Sequence, residues 1–280
     1  ETLFENYKDE LNNYWVFDYS EQLRYLRYFD GVKSFLDGKN VQTFCLVGDY
    51  LYCGVFKQGI YRVHLSTGKA DLINPIDKLF YQIRDAEQHG IHAVHNHGIL
   101  YRWKRNSDSL AEKQKWKVGS FKDFRESKDK SVIVHSDGVE VVTKIDKTKS
   151  KFYNSLGLMV CLPHKIGDYV GGANGLYRIT EEKLVRVDNA SRVSIKCLES
   201  LNEQWLVAGT EGLGVCIYNG VDAHYLECLK GYMVFSIKVE SENSLWLATQ
   251  KGVVHVVLKG IDFSESSIEA KYTTVDGLPA

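Results

Sequence analysis

The segment NEQWLVAGTEGLGVCI, residues 202–217, decides the fold. It contains a short alternating apolar stretch that starts at a Trp, a polar turn with Gly, and a second apolar stretch. Alternation with a period of two on both sides of a Gly-containing turn predicts a β-hairpin, because each strand then directs one face inward. The segment NSLWLATQKGVVHV, residues 243–256, has the same pattern, so the hairpin is a repeated unit.

Five further segments share this pattern: NNYWVFDYSEQLRYL (12–26), GDYLYCGVFKQGIYRV (48–63), QHGIHAVHNHGILYRW (88–103), KSVIVHSDGVEVV (130–142) and GDYVGGANGLYRI (167–179). The turn position recurs every 37 to 40 residues, at Gln22, Gly59, Gly98, Gly138, Gly175, Gly212 and Gly252. Gly adopts positive φ without a Cβ penalty, as tight hairpin turns require. The chain is therefore predicted to consist of seven related hairpins.

An apolar strand such as SIKCLES precedes each hairpin, and a less regular strand such as KYTTVDG follows it. Four short strands with a period near 40 residues are the size of a propeller blade. We predict an all-β fold, a seven-bladed β-propeller of four-stranded antiparallel blades, as a single domain over residues 1–280. An elongated β solenoid and a large β-sandwich are the alternatives. The predicted repeats are approximately residues 1–40, 41–79, 80–118, 119–158, 159–191, 192–232 and 233–280.

The composition is that of a globular chain, with 44% hydrophobic and 25% charged residues. The formal net charge of −1 gives no overall field that would attract nucleic acid, so we expect no nucleic-acid partner. No apolar run approaches the ~20 residues of a transmembrane helix. Because the sequence starts at Glu1 and shows no signal peptide, we expect it to be a fragment of a longer multidomain protein.

Histidines and cysteines form the most conspicuous clusters of potential metal ligands. The segment HGIHAVHNHGIL, residues 89–100, holds four of the nine histidines. Strand alternation places His95 and His97 on one face and His92 on the other, so we expect no metal and no cofactor. The six cysteines, which show no C-x-x-C pair, are predicted to be buried free thiols: Cys45, Cys53, Cys161, Cys197, Cys216 and Cys228.

Catalytic motifs are absent from the sequence. It has no G-x-S-x-G nucleophile elbow, no H-E-x-x-H helix and no phosphate-binding G-x-x-x-x-G-K-S/T loop. The cluster of Gly171, Gly172 and Gly175 falls in a predicted hairpin turn with no following helix to bind phosphate. We therefore predict that this fragment is not an enzyme.

The segments SLWLATQKGVVHV, WLVAGTEGLGVCIY and DYVGGANGLYRI, with the terminal YTTVDGLPA, resemble the two-component regulator propeller repeat. That repeat runs Leu-Trp-(Ile/Val)-Gly-Thr, then Gly-Leu-Tyr-Arg, then Thr-x-(Asp/Glu)-Gly-Leu-Pro. The first copy departs from it with Gln22 at the turn, and the third with Ile91 at the strand start. The Gly-Thr step is intact only at Gly209 and Thr210.

The resemblance implies the extracytoplasmic sensor region of a Bacteroidetes-type hybrid two-component system. Such a region is periplasmic, detects carbohydrate fragments and signals to the transcription of polysaccharide-use genes. The parent chain would carry a second propeller and a β-sandwich as neighbouring domains, with a histidine kinase as the output domain. The parent protein could also form a homodimer, a question that the sequence leaves open. The expected ligand is an oligosaccharide or another small molecule.

A sugar site needs exposed aromatic rings with amides and carboxylates nearby. The residues predicted to line such a site lie near the second-to-third-strand turns and the inter-blade loops: Tyr19, Phe56, His95, His97, Trp116, Tyr153, Asn174, Glu211 and Tyr232. A protein-interaction scaffold is the first alternative function, although the repeated Gly-His and Trp-Asp dipeptides of WD repeats are missing. A polysaccharide-active propeller enzyme is the second alternative.

Overall fold

The computed structural model describes the backbone of residues 3–8, 14–18, 23–27, 31–75, 80–85, 90–95, 99–104, 110–115, 120–144, 150–190 and 192–276. Side chains are described within these ranges from residue 35 onward, apart from residues 81, 85, 110–115 and 274. In this part of the chain no helix is long and apolar enough to cross a membrane.

Six blades, named A to F, follow one another along the chain, and each is a four-stranded antiparallel sheet in sequential order. Blade A comprises β5 (Val41–Val47), β6 (Tyr50–Val55), β7 (Gly59–His64) and β8 (Ala70–Pro75). Blade B comprises β9 (Phe80–Asp85), β10 (Ile91–His95), β11 (Ile99–Trp103) and β12 (Leu110–Lys115). Blade C comprises β13 (Phe121–Glu126), β14 (Lys130–His135), β15 (Gly138–Thr143) and β16 (Ser150–Asn154).

The last three blades repeat this plan. Blade D comprises β17 (Leu158–His164), β18 (Gly167–Gly172), β19 (Gly175–Ile179) and β20 (Leu184–Arg186). Blade E comprises β21 (Ile195–Ser200), β22 (Leu206–Thr210), β23 (Val215–Tyr218) and β24 (Ala223–Tyr225). Blade F comprises β25 (Val234–Ser241), β26 (Ser244–Thr249), β27 (Gly252–Val257) and β28 (Ser267–Tyr272).

The prediction of seven blades needs a correction. Six blades are defined by strands together with packed side chains. A further four-stranded sheet is described through its backbone up to residue 34, as β1 (Leu3–Lys8), β2 (Tyr14–Asp18), β3 (Leu23–Arg27) and β4 (Gly31–Phe35). This N-terminal sheet lies beside blade F, where β1 contacts β25 and β26. It corresponds to the most divergent repeat, in which Gln22 replaces the turn Gly.

The first strand of each blade is the innermost one. Strands β5, β9, β13, β17, β21 and β25 contact one another in this order, which is the order of the blades. They therefore surround the central channel of a propeller, and the fourth strands face outward. All-β architecture and four-stranded antiparallel blades are confirmed.

Hydrophobic cores lie between successive blades. The core between blades A and B contains Tyr52 and Trp103, and the core between blades E and F contains Val215 and Leu247. The aromatic slot at the start of the second strand is buried, because Tyr52 is 1% exposed and Tyr169 is fully buried. Each blade thus covers one face of the next, as stacked repeats require.

The predicted hairpin turns are confirmed where they are described. Gly59, Gly175, Gly212 and Gly252 have φ between 100° and 121°, a region that L side chains rarely adopt. A Cβ on Gly252 would also lie 2.1 Å from the carbonyl oxygen of Tyr272. The equivalent Gln22 and Gly98 lie outside the described residues.

All six cysteines are free thiols, as predicted. Cys53, Cys161 and Cys216 are buried, whereas the other three are only partly buried. Burial raises the pKa of the Cys216 thiol to about 12, which keeps this group protonated and unreactive at neutral pH.

Candidate functional site at the central channel

A β-bulge recurs near the start of the innermost strand in every one of blades A to F. The register shifts between Phe121 and Asp123 in blade C, and between Ile195 and Cys197 in blade E. The strand gains one extra residue at each shift, and a bulge re-aims the side chain of that residue. The extra residues are Gln42, Tyr81, Lys122, Met159, Lys196 and Phe235.

These six residues form the rim of the channel on the face of the second-to-third-strand turns. The five with described side chains are exposed or partly exposed, although they belong to the innermost strands. The hydrophobic cores contain their neighbours on both sides, such as Ile195 and Leu198 around Lys196. The rim therefore presents cationic, amide, thioether and aromatic groups at the channel entrance.

In blades A, B and C, the side chain of the residue after the bulge fastens its blade to the next one. The backbone N–H of Ile83 donates to Thr43 Oγ1 at 3.0 Å, and that of Cys161 donates to Asp123 Oδ2 at 2.8 Å. Blades B and C are joined at the same position, where the Phe124 N–H lies 3.4 Å from Gln82 Oε1. These bonds satisfy edge N–H groups of the inner strands, which would otherwise lack a ladder partner.

Glu199 of blade E connects blades that lie across the channel. Its Oε1 and Oε2 atoms accept hydrogen bonds from the Arg125 guanidinium of blade C at 2.6 and 3.1 Å. Its Oε1 atom also lies 3.4 Å from Nη1 of Arg84 in blade B. Arg125 donates in addition to the Leu198 carbonyl at 2.9 Å. The ion pairs therefore bridge the channel beneath the rim.

Asp123 is the most deeply buried acidic group of the channel, with 1% of its surface exposed. Its carboxylate accepts hydrogen bonds from the backbone N–H groups of Cys161 and Phe124, at 2.8 and 2.9 Å, and from the Gln82 amide. Arg84 Nη2 lies 3.8 Å away. The bonds to Asp123 thus join blades B, C and D at one point.

The charges of the cross-channel pair reinforce each other. Burial on its own raises the pKa of the Glu199 carboxyl, but the charge and hydrogen bonds of Arg125, and then of Arg84, lower it below its ordinary value. Burial on its own lowers the pKa of Arg125, and Glu199 outweighs this effect and raises it. Both groups are therefore charged at neutral pH.

Two of the residues predicted to bind sugar lie together beside the rim. Glu211 forms an ion pair with the rim residue Lys196 at 2.7 Å, and this hydrogen bond and charge lower the pKa of Glu211. The carbonyl of Tyr232 accepts hydrogen bonds from Gly212 and Gly214 at 3.1 and 3.0 Å, in the turn that follows Glu211. Both predicted residues therefore flank the channel entrance between blades E and F.

The Tyr232 ring is covered rather than open. Lys251 Nζ lies 4.3 Å from the ring centroid, and the ring also packs against the core between blades E and F. A pyranose can stack on this ring only if Lys251 moves away. In this conformation the phenol is better placed to support the loop than to serve as a stacking platform.

The remaining predicted site residues are distributed around the propeller. Asn174 is exposed in the turn of blade D, and Phe56 is partly buried with Lys57 Nζ 5.2 Å from its ring. His95 is 1% exposed and contacts the edge of Phe80, and Tyr153 is buried with its hydroxyl bonded to the Thr180 carbonyl at 2.7 Å. Three of them lie outside the described residues: Tyr19, His97 and Trp116.

The described histidines of the third hairpin belong to the protein interior. His92 is 3% exposed, and its Nδ1 atom lies 3.6 Å from the Glu126 carboxylate of blade C. Across the described ranges, no group of three or more His, Cys, Asp or Glu side chains is arranged to hold a metal ion. His92 thus contributes to packing between blades B and C, and His95 packs against Phe80 and Tyr101 of its own blade.

Sequence reasoning missed the rim, although a signal for it exists. The innermost strands contain FKDF (121–124), IKCL (195–198) and VFSI (234–237), in which the buried hydrophobic residues are three apart rather than two. A break in strict alternation inside a strand is the sequence trace of a bulge. Repetition of this break at the same place in successive blades would have located the rim.

No known protein family matches the sequence of this chain, and no curated protein does. Among solved structures, "YCF48 bound to D1 peptide" is similar, with a TM-score of 0.69, 13% identity, and coverage of 93% of this chain and 93% of that chain. "YCF48 from Cyanidioschyzon merolae" has a TM-score of 0.68, 9% identity, and coverage of 91% and 94%. "Structure of U3-55K" has a TM-score of 0.64, 9% identity, and coverage of 84% and 82%. At these identities the likeness establishes the β-propeller fold alone.

Proposed function

We propose that this chain is a non-catalytic sensory propeller that recognises its ligand at the rim of the central channel. The observation that carries the proposal is the recurrent bulge, which inserts one extra residue into the innermost strand of each of the six blades. The five extra residues with described side chains are exposed or partly exposed at the channel entrance. Bulges are over-represented at sheet edges and next to active sites, where they re-aim a side chain or end the pairing. The rim combines groups that bind polar ligands with an apolar thioether and an aromatic ring.

The carboxylates of the channel are better suited to structure than to catalysis. Asp123 and Glu199 are held by hydrogen bonds from backbone N–H groups and from Arg125. A general acid or base must exchange a proton near the operating pH, whereas the charge and hydrogen bonds of Arg125 lower the pKa of Glu199. This supports a binding role for the channel.

The proposed ligand class and compartment rest on the resemblance of the repeat. Its resemblance to two-component regulator propellers supports a carbohydrate fragment as ligand, a periplasmic location and a sensor histidine kinase as the parent protein. The ligand would signal by binding one arrangement of the parent's domains more tightly than another. Neighbouring propeller and sandwich domains would then transmit the difference.

A thermal-shift screen against neutral and acidic oligosaccharides tests the proposal. A ligand at 100 times its Kd stabilises the folded state by about 2.7 kcal/mol, which for a chain of this size raises the Tm by about 5 °C. We expect one class of sugar to give such a shift. The absence of any shift across the panel, with the protein folded, would contradict a sugar site within this chain.

A protein partner is the second candidate, and one observation favours it. A structurally similar propeller, YCF48, has been solved with a D1 peptide bound. The covered ring of Tyr232 also removes one stacking platform that a sugar would use. Saturable binding of peptides, with no thermal shift from any sugar, would favour this candidate.

A further inference from the structure

Arg84 is a partly exposed cation of the channel with long contacts to its carboxylate partners. Its side chain is 33% exposed, and its hydrogen bond to Glu199 is long, at 3.4 Å. Its Nε atom is buried without a hydrogen-bond partner among the described residues. A guanidinium carries five N–H donors, so most donors of Arg84 remain unused.

The two neighbouring carboxylates also have partners other than Arg84. Arg125 donates to both oxygens of Glu199, at 2.6 and 3.1 Å. The backbone N–H groups of Phe124 and Cys161 each donate to a different oxygen of Asp123, at 2.9 and 2.8 Å. Arg84 is therefore a cation whose partners are already satisfied by other groups.

The charges around Arg84 also favour an anion. Lys122 and Lys196 lie on the rim, and Lys196 forms an ion pair with Glu211. Arg84 and Arg125 are therefore accompanied by two further cations on the same set of inner strands. Cations that line a cleft attract an entering anion.

We propose that Arg84 binds a carboxylate of the ligand, so that the ligand is an acidic oligosaccharide containing uronate groups. The planar guanidinium matches a carboxylate through two parallel N–H···O bonds, and burial in the channel strengthens them. The rim residues Met159 and Phe235 would contact the apolar faces of the adjoining sugar rings. This inference rests on the proposed function and adds the chemical class of the ligand.

Calorimetric titration of the full chain with trigalacturonate and with its neutral methyl ester tests the inference. We expect the acid to bind at least about tenfold more tightly than the ester. Arg84→Gln should abolish this preference by weakening the binding of the acid about tenfold or more. Arg84→Lys keeps the positive charge but lacks the planar guanidinium, so its affinity for the acid should lie between that of the unmodified chain and that of Arg84→Gln. It serves as the second variant if Arg84→Gln is unstable.

Arg186→Gln is the matched control. Arg186 is 34% exposed and pairs with Asp188 at 2.9 Å, but it lies on the outward strand β20. This variant should bind trigalacturonate as the unmodified chain does. Equal loss of affinity in Arg84→Gln and Arg186→Gln would overturn the inference, because the effect would then be a general one of surface charge.

The outcomes separate the inference from the proposed function. Equal affinity for the acid and the ester, or tighter binding of a sulfated oligosaccharide, would overturn the uronate assignment and leave carbohydrate sensing intact. Preference for a peptide with a free C-terminal carboxylate over every sugar would overturn both and favour a protein partner. A preference for trigalacturonate that survives Arg84→Gln would overturn the role of Arg84 alone.

Discussion

Replacement of Asp123 by Ala is expected to destabilise the propeller by about 4 kcal/mol. The carboxylate is 1% exposed and accepts hydrogen bonds from the backbone of blades C and D and from Gln82 of blade B. Its removal leaves the N–H of Cys161 buried without this partner, in a place where water cannot readily replace it. Urea unfolding followed by tryptophan fluorescence measures the change.

Two further variants make the Asp123 result interpretable. Asp188→Ala removes a carboxylate that is 82% exposed and pairs with Arg186, so a cost below about 1 kcal/mol is expected. Asp123→Asn retains one oxygen acceptor and should lose about half of what Asp123→Ala loses. Equal stabilities of Asp123→Ala and Asp188→Ala would show that the inter-blade bonds contribute nothing.

Replacement of Glu199 by Ala is also expected to destabilise the propeller by about 4 kcal/mol, because it leaves a buried charge unpaired. The variant leaves the largely buried Arg125 guanidinium without the carboxylate that neutralises it. The double variant Glu199→Leu/Arg125→Met removes both charges together, so it should recover most of the lost stability. A double variant as unstable as the sum of the two single ones would contradict this account.

The contribution of Glu199 should also depend on pH. Because its pKa is lower in the folded chain than its ordinary value, the folded state binds fewer protons than the unfolded state as the pH falls toward that range. The stability that Glu199 provides is therefore fully present above its unfolded pKa, about 4.3, and is lost as the pH falls through the folded value. The difference in the free energy of unfolding between the unmodified chain and Glu199→Ala should therefore shrink as the pH falls through this range.

The hairpins and blades could be predicted because they are local. Gly175 and Gly252 mark turns that need positive φ, and alternation around them identifies the strands. The site depends on contacts that local patterns do not encode. Arg84 and Glu199 are 115 residues apart and meet only because the innermost strands converge on one channel. The bulges also escape a search for strict alternation, since each inserts one residue without changing the composition.

The predicted number of blades shows the same limit of reasoning from local sequence patterns. Repeat counting weights every copy equally, although the first copy lacks the turn Gly and has Gln22 instead. The six blades that are described with their side chains all belong to repeats that retain the turn Gly. His95 and Tyr153 were selected as polar or aromatic groups near a turn, and both are buried between blades. Proximity to a turn in the sequence does not establish exposure when the neighbouring blade covers the strand end.

The central claim, recognition at the channel rim, is tested most directly by measuring the affinity of the best sugar from the screen for two matched variants. Met159 on the rim is 42% exposed, and Leu72 on the outward strand β8 is 45% exposed. Both accept a charged side chain with little cost in stability. The account expects Met159→Glu to weaken binding about tenfold or more and Leu72→Glu to leave it unchanged. Equal affinities of the two variants would contradict a binding site at the rim.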